Sequence, residues 1–184
     1  MIDAVIQLWL GWHAMLGRAE PPVHWTASYV DGTGTHAIEV WRQPERVRRI
    51  TDRVLELDAV RPRGQGYRFS INDHRRGVTY HGSERDRIMQ RSFDDWQRWT
   101  HVVAPDRPDA IVRPLERPAL TTPAGRCRWF TTAGAELCWS HTLGLPLVIR
   151  ADGKDVYTVT SAERFRGSLP PFKPIGTTIG ADDD

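Results

Sequence analysis

The chain has 184 residues, with 25 Lys plus Arg against 23 Asp plus Glu and a formal charge of +2. That length accommodates one substantial core, and so even a balance gives no overall field that would select a charged partner. Lys154 and Lys173 are the only lysines, and no run of about 18 apolar residues offers a membrane-spanning helix.

The opening residues lack the basic start, apolar run and small-residue cleavage pattern of a secretory leader. An extracytoplasmic chain of this sequence is therefore expected to be the mature form. Ile2, Val5, Ile6, Trp9, Trp12, His13 and Leu16 recur at three- and four-residue spacings, which predicts an amphipathic helix packed on a sheet. Gly11 weakens its middle, and Gly17 with Pro21-Pro22 ends it.

From Val23 the period changes to two. Trp25, Ala27 and Tyr29 alternate, then Ile38 and Val40 resume the pattern after the glycine-rich stretch 31–34, as in a hairpin. WRQPERVRRITD turns at Gln43 and Pro44 and continues with Val47 and Ile50. Leu55 and Leu57, then Tyr67, Phe69 and Ile71, extend the sheet, and DHRRG marks a turn before Val78 and Tyr80. Ser92 caps a predicted short helix from Phe93, with Trp96 and Trp99 on its apolar face. The proline-rich stretch 104–126 reads as a long connection. Further strands follow at 127–130, 135–139, 145–150 and 156–160, the last two separated by an Asp152-Gly153 turn. Residues 1–165 are expected to form a single domain, and 166–184 an irregular tail.

Cys127 and Cys138 bracket CRWFTTAGAELC, which reads as a disulfide-stapled hairpin; two free core thiols are the alternative. Closing that loop contributes about 3 kcal/mol in a chain-entropy picture. With no CxxC the role is structural, and it suits an oxidising compartment.

Enzymatic signals are weak. Asp94 and Asp95 are neighbours, so on a helix their carboxylates diverge. Asp73-His74 and Ser140-His141 are adjacent pairs without a nucleophile, base and orienting group. The seven histidines show no HExxH or repeated Cys/His spacing, which leaves His36 meeting His81 across strands as the one metal arrangement to consider. RQPERVRR reads as a solvated strand face without a nucleic-acid-binding motif, and no glycine-rich phosphate loop is present. No catalytic residue, metal, cofactor or nucleic-acid partner is expected.

HAIEVWRQPERVRRITD at 36–52, YRFSINDHRRGVTYH at 67–81 and CRWFTTAGAELCWSHTLGLPLVIRADGKDVYTVT at 127–160 resemble the outer-membrane lipoprotein carrier and receptor superfamily of periplasmic lipid-binding domains. The resemblance implies an α+β fold: a curved antiparallel sheet forming an unclosed barrel, covered by the N-terminal helix and the short mid-chain helix. It further implies a hydrophobic cavity for a lipid or an acylated protein, lined here by Trp9, Trp12, Trp25, Tyr29, Val40, Tyr67, Phe69, Trp96, Trp99, Trp129, Leu145 and Leu147. Those carriers hold their lid closed with an arginine inside the barrel; Arg42, Arg46, Arg48, Arg49 and Arg53 are its candidates here. The expected function is non-enzymatic lipid or hydrophobic-ligand binding or transport in the periplasm, with tethering of the precursor to a membrane possible. The alternative is an envelope domain that binds a membrane-associated or envelope protein and holds no lipid.

Overall fold

The computed structural model describes residues 21–63, 65–83, 96–101, 112–132 and 135–180. Six strands run as consecutive antiparallel hairpins: β1 (Val23–Asp31), β2 (Gly34–Gln43), β3 (Arg46–Thr51), β4 (Leu55–Val60), β5 (Arg68–Asp73) and β6 (Val78–Ser83). A helical segment α1 (Trp96–His101) follows, then β7 (Arg113–Pro114), β8 (Leu120–Thr122), β9 (Gly125–Thr132), β10 (Ala135–Ser140), β11 (Leu145–Ala151), β12 (Lys154–Arg164) and β13 (Thr177–Gly180). They form one 13-stranded sheet ordered β13-β6-β5-β4-β3-β2-β1-β12-β11-β10-β9-β7, with β8 also on β9. The path is open, because β13 and β7 end it without pairing to each other.

The expected α+β class is corrected to an essentially all-β sheet. The expected N-terminal helix lies outside the described residues. Of the expected mid-chain helix, only the six residues of α1 are described, too few to form a helical layer. The 104–126 connection also departs from expectation, since β7, β8 and the start of β9 fall in it. These pieces are short because proline cannot donate to a ladder and is confined to edges.

Local chemistry sets the turns. Ala151 pairs with Lys154 across a two-residue loop, and Asp152 and Gly153 both take positive φ, 49° and 74°, as a type I′ hairpin requires. Asp73 Oδ1 accepts from the backbone N–H groups of Arg75 and Arg76 at 3.0 and 3.2 Å, fixing the β5–β6 turn. Register irregularities at Thr26/Ala27, Cys138/Trp139 and Ile149/Arg150 insert bulges that bend a sheet and increase its twist.

The alternation of β1–β6 sorts side chains cleanly. Val23, Trp25, Ala27, Ile38, Val40, Val47, Leu57, Ala59, Phe69 and Ile71 share the inner face and are all buried. The outer face is polar, with Arg46 making a two-point pair to Asp58 at 2.9 and 3.1 Å.

Residues 167–175 cross that outer face as a strap without regular structure. Gln43 Nε2 donates to Gly167 O at 2.8 Å, Arg48 Nη1 to Pro170 O, and Asn72 Nδ2 to Lys173 O at 2.9 Å. Arg48 also pairs with Glu56, whose other carboxylate oxygen accepts from Asn72 at 3.0 Å. Thr79 Oγ1 accepts from Ile175 N at 2.8 Å; for its own proton it has Asn72 Oδ1 at 2.7 Å and Ile175 O at 2.9 Å. The strap then enters the sheet as β13, parallel to β6. The segment read as an irregular, solvated tail thus supplies a strand.

Gly176 is the point of entry. Its φ is +51°, and a Cβ there would lie 1.8 Å from Gly77 O. Gly176→Ala is therefore expected to strip β13 from β6 at a local cost of about 1–3 kcal/mol or more. Hydrogen exchange should show Thr177 to Gly180 losing protection while β1–β4 keep theirs; unchanged protection at Ile179 would refute the steric argument.

Candidate interaction site

The inner face carries one buried cation. Arg42 follows Ile38 and Val40 in alternation and is 0% exposed. Its Nη1 donates to Thr100 O at 3.1 Å and Gly144 O at 2.8 Å, and its Nη2 to Leu143 O at 2.7 Å. The guanidinium lies 5.6 Å from the centre of the Trp25 ring. One side chain on β2 thus ties α1 and the β10–β11 turn to the sheet. The other candidate arginines go elsewhere. Arg46 and Arg48 serve the outer face, Arg49 stands 5.7 Å from the Tyr29 ring, and Arg53 occupies the β3–β4 turn with φ 58°.

The expected cavity residues separate into distinct environments. Trp25, Val40, Leu145 and Leu147 are buried in the core. Trp25 Nε1 donates to Tyr157 Oη at 2.9 Å, and burial pushes the Tyr157 phenol well above its usual range. Tyr67, Phe69, Trp96 and Trp99 converge beneath α1. The ring of Trp99 is 4.9 Å from Tyr67, 5.6 Å from Phe69 and 6.3 Å from Trp96, separations typical of favourable aromatic pairs. Trp129 lies apart, with the guanidinium groups of Arg117 and Arg150 each 5.0 Å from its ring. Tyr29 is half-buried and stacks on His36 at 4.9 Å. Trp9 and Trp12 lie outside the described residues.

Among the described residues, two of the grooves that open to solvent stand out. One, of about 400 Å³, is lined by Arg117, Thr131, Glu136, Arg150 and their neighbours. Here Arg117 forms a two-point pair with Glu136 at 2.9 and 3.1 Å. The larger, of about 580 Å³, runs between the β2–β3 turn and the β4–β5 loop, lined by Pro44, Glu45, Arg61, Arg63, Gln65 and Trp96 among others. Trp96 is half-buried at its wall, with Arg61 6.0 Å from the ring. The aromatic cluster under α1 therefore reaches the surface through one indole beside a guanidinium. Sequence periodicity marked Trp96 and Trp99; it gave no sign of Pro44 or Arg61, because two separate loops bring them together.

Cys127 and Cys138 form a disulfide, with Cα atoms 5.3 Å apart. Among the described residues no group of three or more His, Cys, Asp and Glu side chains converges to hold a metal. His36 bonds to Asp31, Asp52 and Thr33 while His81 bonds to Ser70, so the two histidines serve separate networks.

The His36 network makes the β1–β2 tip pH-sensitive. Asp52 Oδ2 at 2.6 Å and Asp31 Oδ1 at 3.1 Å raise the imidazole above 6.5, the hydrogen bond to Asp52 being the main cause. Asp31 falls to about 2, chiefly through the Thr33 hydroxyl and N–H, and Asp52 falls through His36 and the Ala37 N–H. The raised histidine contributes stability present below 6.5 and lost as pH climbs through its folded value. The lowered carboxylates contribute stability present above 3.8 and lost as pH falls through their folded values, about 2 for Asp31. The tip is therefore tightest between 3.8 and 6.5. NMR titration should place the His36 midpoint above 6.5, and Asp52→Asn should lower it; equal midpoints in the two proteins would contradict the arrangement.

Together the fold and site define an unclosed antiparallel sheet domain with a packed inner face and an aromatic-walled groove at its end. The chain is similar to the crystal structure of MucB at 16% identity and TM-score 0.47, over 93% of this chain and 61% of that one. It is also similar to the Pseudomonas aeruginosa MucA/MucB complex structure (15% identity, TM-score 0.44, 92% of this chain and 59% of that). A third similar structure is MucB in complex with MucA(peri) (14%, 0.42, 89% and 56%). The chain spans between 56% and 61% of the length of these structures. No protein-family model matches it, and no curated protein matches it significantly.

Proposed function

We infer that this chain is a non-catalytic protein-interaction domain of the cell envelope whose docking surface is the groove at Trp96. The observation that carries the reading is the filled inner face. Trp25, Val40, Leu145 and Leu147, four of the side chains expected to line a cavity, are 0% exposed and belong to the packed core, which supports a filled face at these positions. The larger of the two grooves combines an indole and two arginines, residue types that dominate binding energy at protein interfaces. The disulfide supports an extracytoplasmic setting, since such bonds persist in oxidising compartments.

The test is photo-crosslinking in envelope extract, with a photoreactive residue at position 63 in the groove or at position 26 on β1. One protein adduct is expected from position 63 alone, and Trp96→Ala should reduce it at least about tenfold, the loss of a typical aromatic anchor. Equal adducts from both positions, no adduct, or stoichiometric lipid in native mass spectra of the purified chain would overturn the reading.

A further inference from the structure

We propose that the outer face of β2–β6 is a binding site for an extended, proline-rich peptide segment, occupied in this chain by its own residues 167–180. The inference rests on the side-chain ladder beneath the strap and stands whether or not the groove at Trp96 binds a partner.

The sheet offers donors along a line. Gln43 on β2, Arg48 on β3, Asn72 on β5 and Thr79 on β6 reach the carbonyls of Gly167, Pro170, Lys173 and Ile175 in the same order. Each acceptor is a main-chain atom, so these contacts read the path of the peptide rather than its side chains. Pro170 O and Lys173 O belong to bonds that precede prolines, whose nitrogens carry no hydrogen. A ligand rich in proline presents carbonyls without competing N–H groups, the complement of the donors on β2, β3 and β5, while Thr79 on β6 also accepts the Ile175 N–H at 2.8 Å.

Dimensions agree. From β2 to β6 is four strand spacings, about 19 Å, and the eight steps from Gly167 to Ile175 span about 25 Å in an extended polyproline conformation. The strap also behaves as a guest on the surface. Leu169 is its one fully buried side chain between 167 and 176, whereas the ladder beneath is held at fixed spacing by the Arg48–Glu56–Asn72–Thr79 network. Asn72 and Thr79 are 0% exposed, so an occupant that leaves uncovers a polar strip ready to take a replacement. The partner that fits is an extended segment of another protein with prolines at the spacing of LPPFKPIG, able to finish as a strand beside β6.

The test keeps the full chain. A protease site is inserted between Arg166 and Gly167, cut, and the nicked protein is followed by size exclusion and native mass spectrometry. The C-terminal fragment is expected to stay bound and to exchange with a labelled synthetic peptide of sequence 168–180. Replacing the three prolines of that peptide with alanine should weaken it on the order of tenfold, as the preformed extended shape is lost. Asn72→Ala should weaken capture on the order of tenfold, the loss of a buried hydrogen bond; Thr79→Val carries the same test if Asn72→Ala fails to fold. Release of the fragment from a body that keeps its circular dichroism would overturn the proposal. Collapse of the nicked body, or capture indifferent to both the ladder variants and the prolines, would overturn it equally.

Discussion

Arg42→Ala is expected to lower the unfolding free energy by roughly 3–5 kcal/mol, since each buried carbonyl left without its donor costs about 1–3 kcal/mol. Three carbonyls, on Thr100, Leu143 and Gly144, would lose their donor at a point where the side chain is 0% exposed. The removed volume would also leave Trp25 without its cation. Urea denaturation checks the magnitude, and hydrogen exchange checks the location, because α1 and the β10–β11 turn should lose protection before β1–β4 do. Arg42→Lys should recover less than half of the loss, since a single ammonium cannot reproduce the planar fork that spans two chain segments. A destabilisation below about 1 kcal/mol for Arg42→Ala would mean that α1 is held chiefly by contacts other than the Arg42 fork.

Much of this arrangement was legible from local chemistry. The alternation of Ile38 and Val40 continues to residue 42, which is enough to place Arg42 on the inner face; the sequence named it among five arginines, and its bonds to α1 and the β10–β11 turn single it out. The DHRRG and Asp152-Gly153 turns were readable for the same reason, as their geometry is set within a few residues. The strap was not. Its prolines and lack of period describe a segment that supplies no hydrogen-bond pattern of its own, and the donors that order it lie far away, Asn72 being 101 residues from Lys173. Arg48 was misread by the same logic. Alternation put it on a solvated face, correctly for β3, but the strap closes over it and leaves it 7% exposed. The cavity expectation is a matter of scale. Alternation identifies which residues face inward, and whether they enclose space depends on how closely the opposing walls approach, which no single strand encodes.

Losing the Cys127–Cys138 tether is expected to cost about 3 kcal/mol, because a loop of this length restricts the unfolded chain by that amount in the entropy model. The pair Cys127→Ala and Cys138→Ala tests it better than serine, since the two residues are 2% and 0% exposed and a hydroxyl there would need a partner. Reduced wild-type protein separates two contributions. It lacks the bond but keeps both sulfur atoms, so the oxidised-minus-reduced difference measures the tether, and the reduced-minus-alanine difference measures packing. The tether should dominate: β9 and β10 already pair from Arg128↔Trp139 to Thr132↔Ala135, which leaves the folded hairpin in register without it. Equal urea midpoints for oxidised and reduced protein would show that the unfolded chain retains this hairpin, and the bond would then add nothing that the ladder does not already supply.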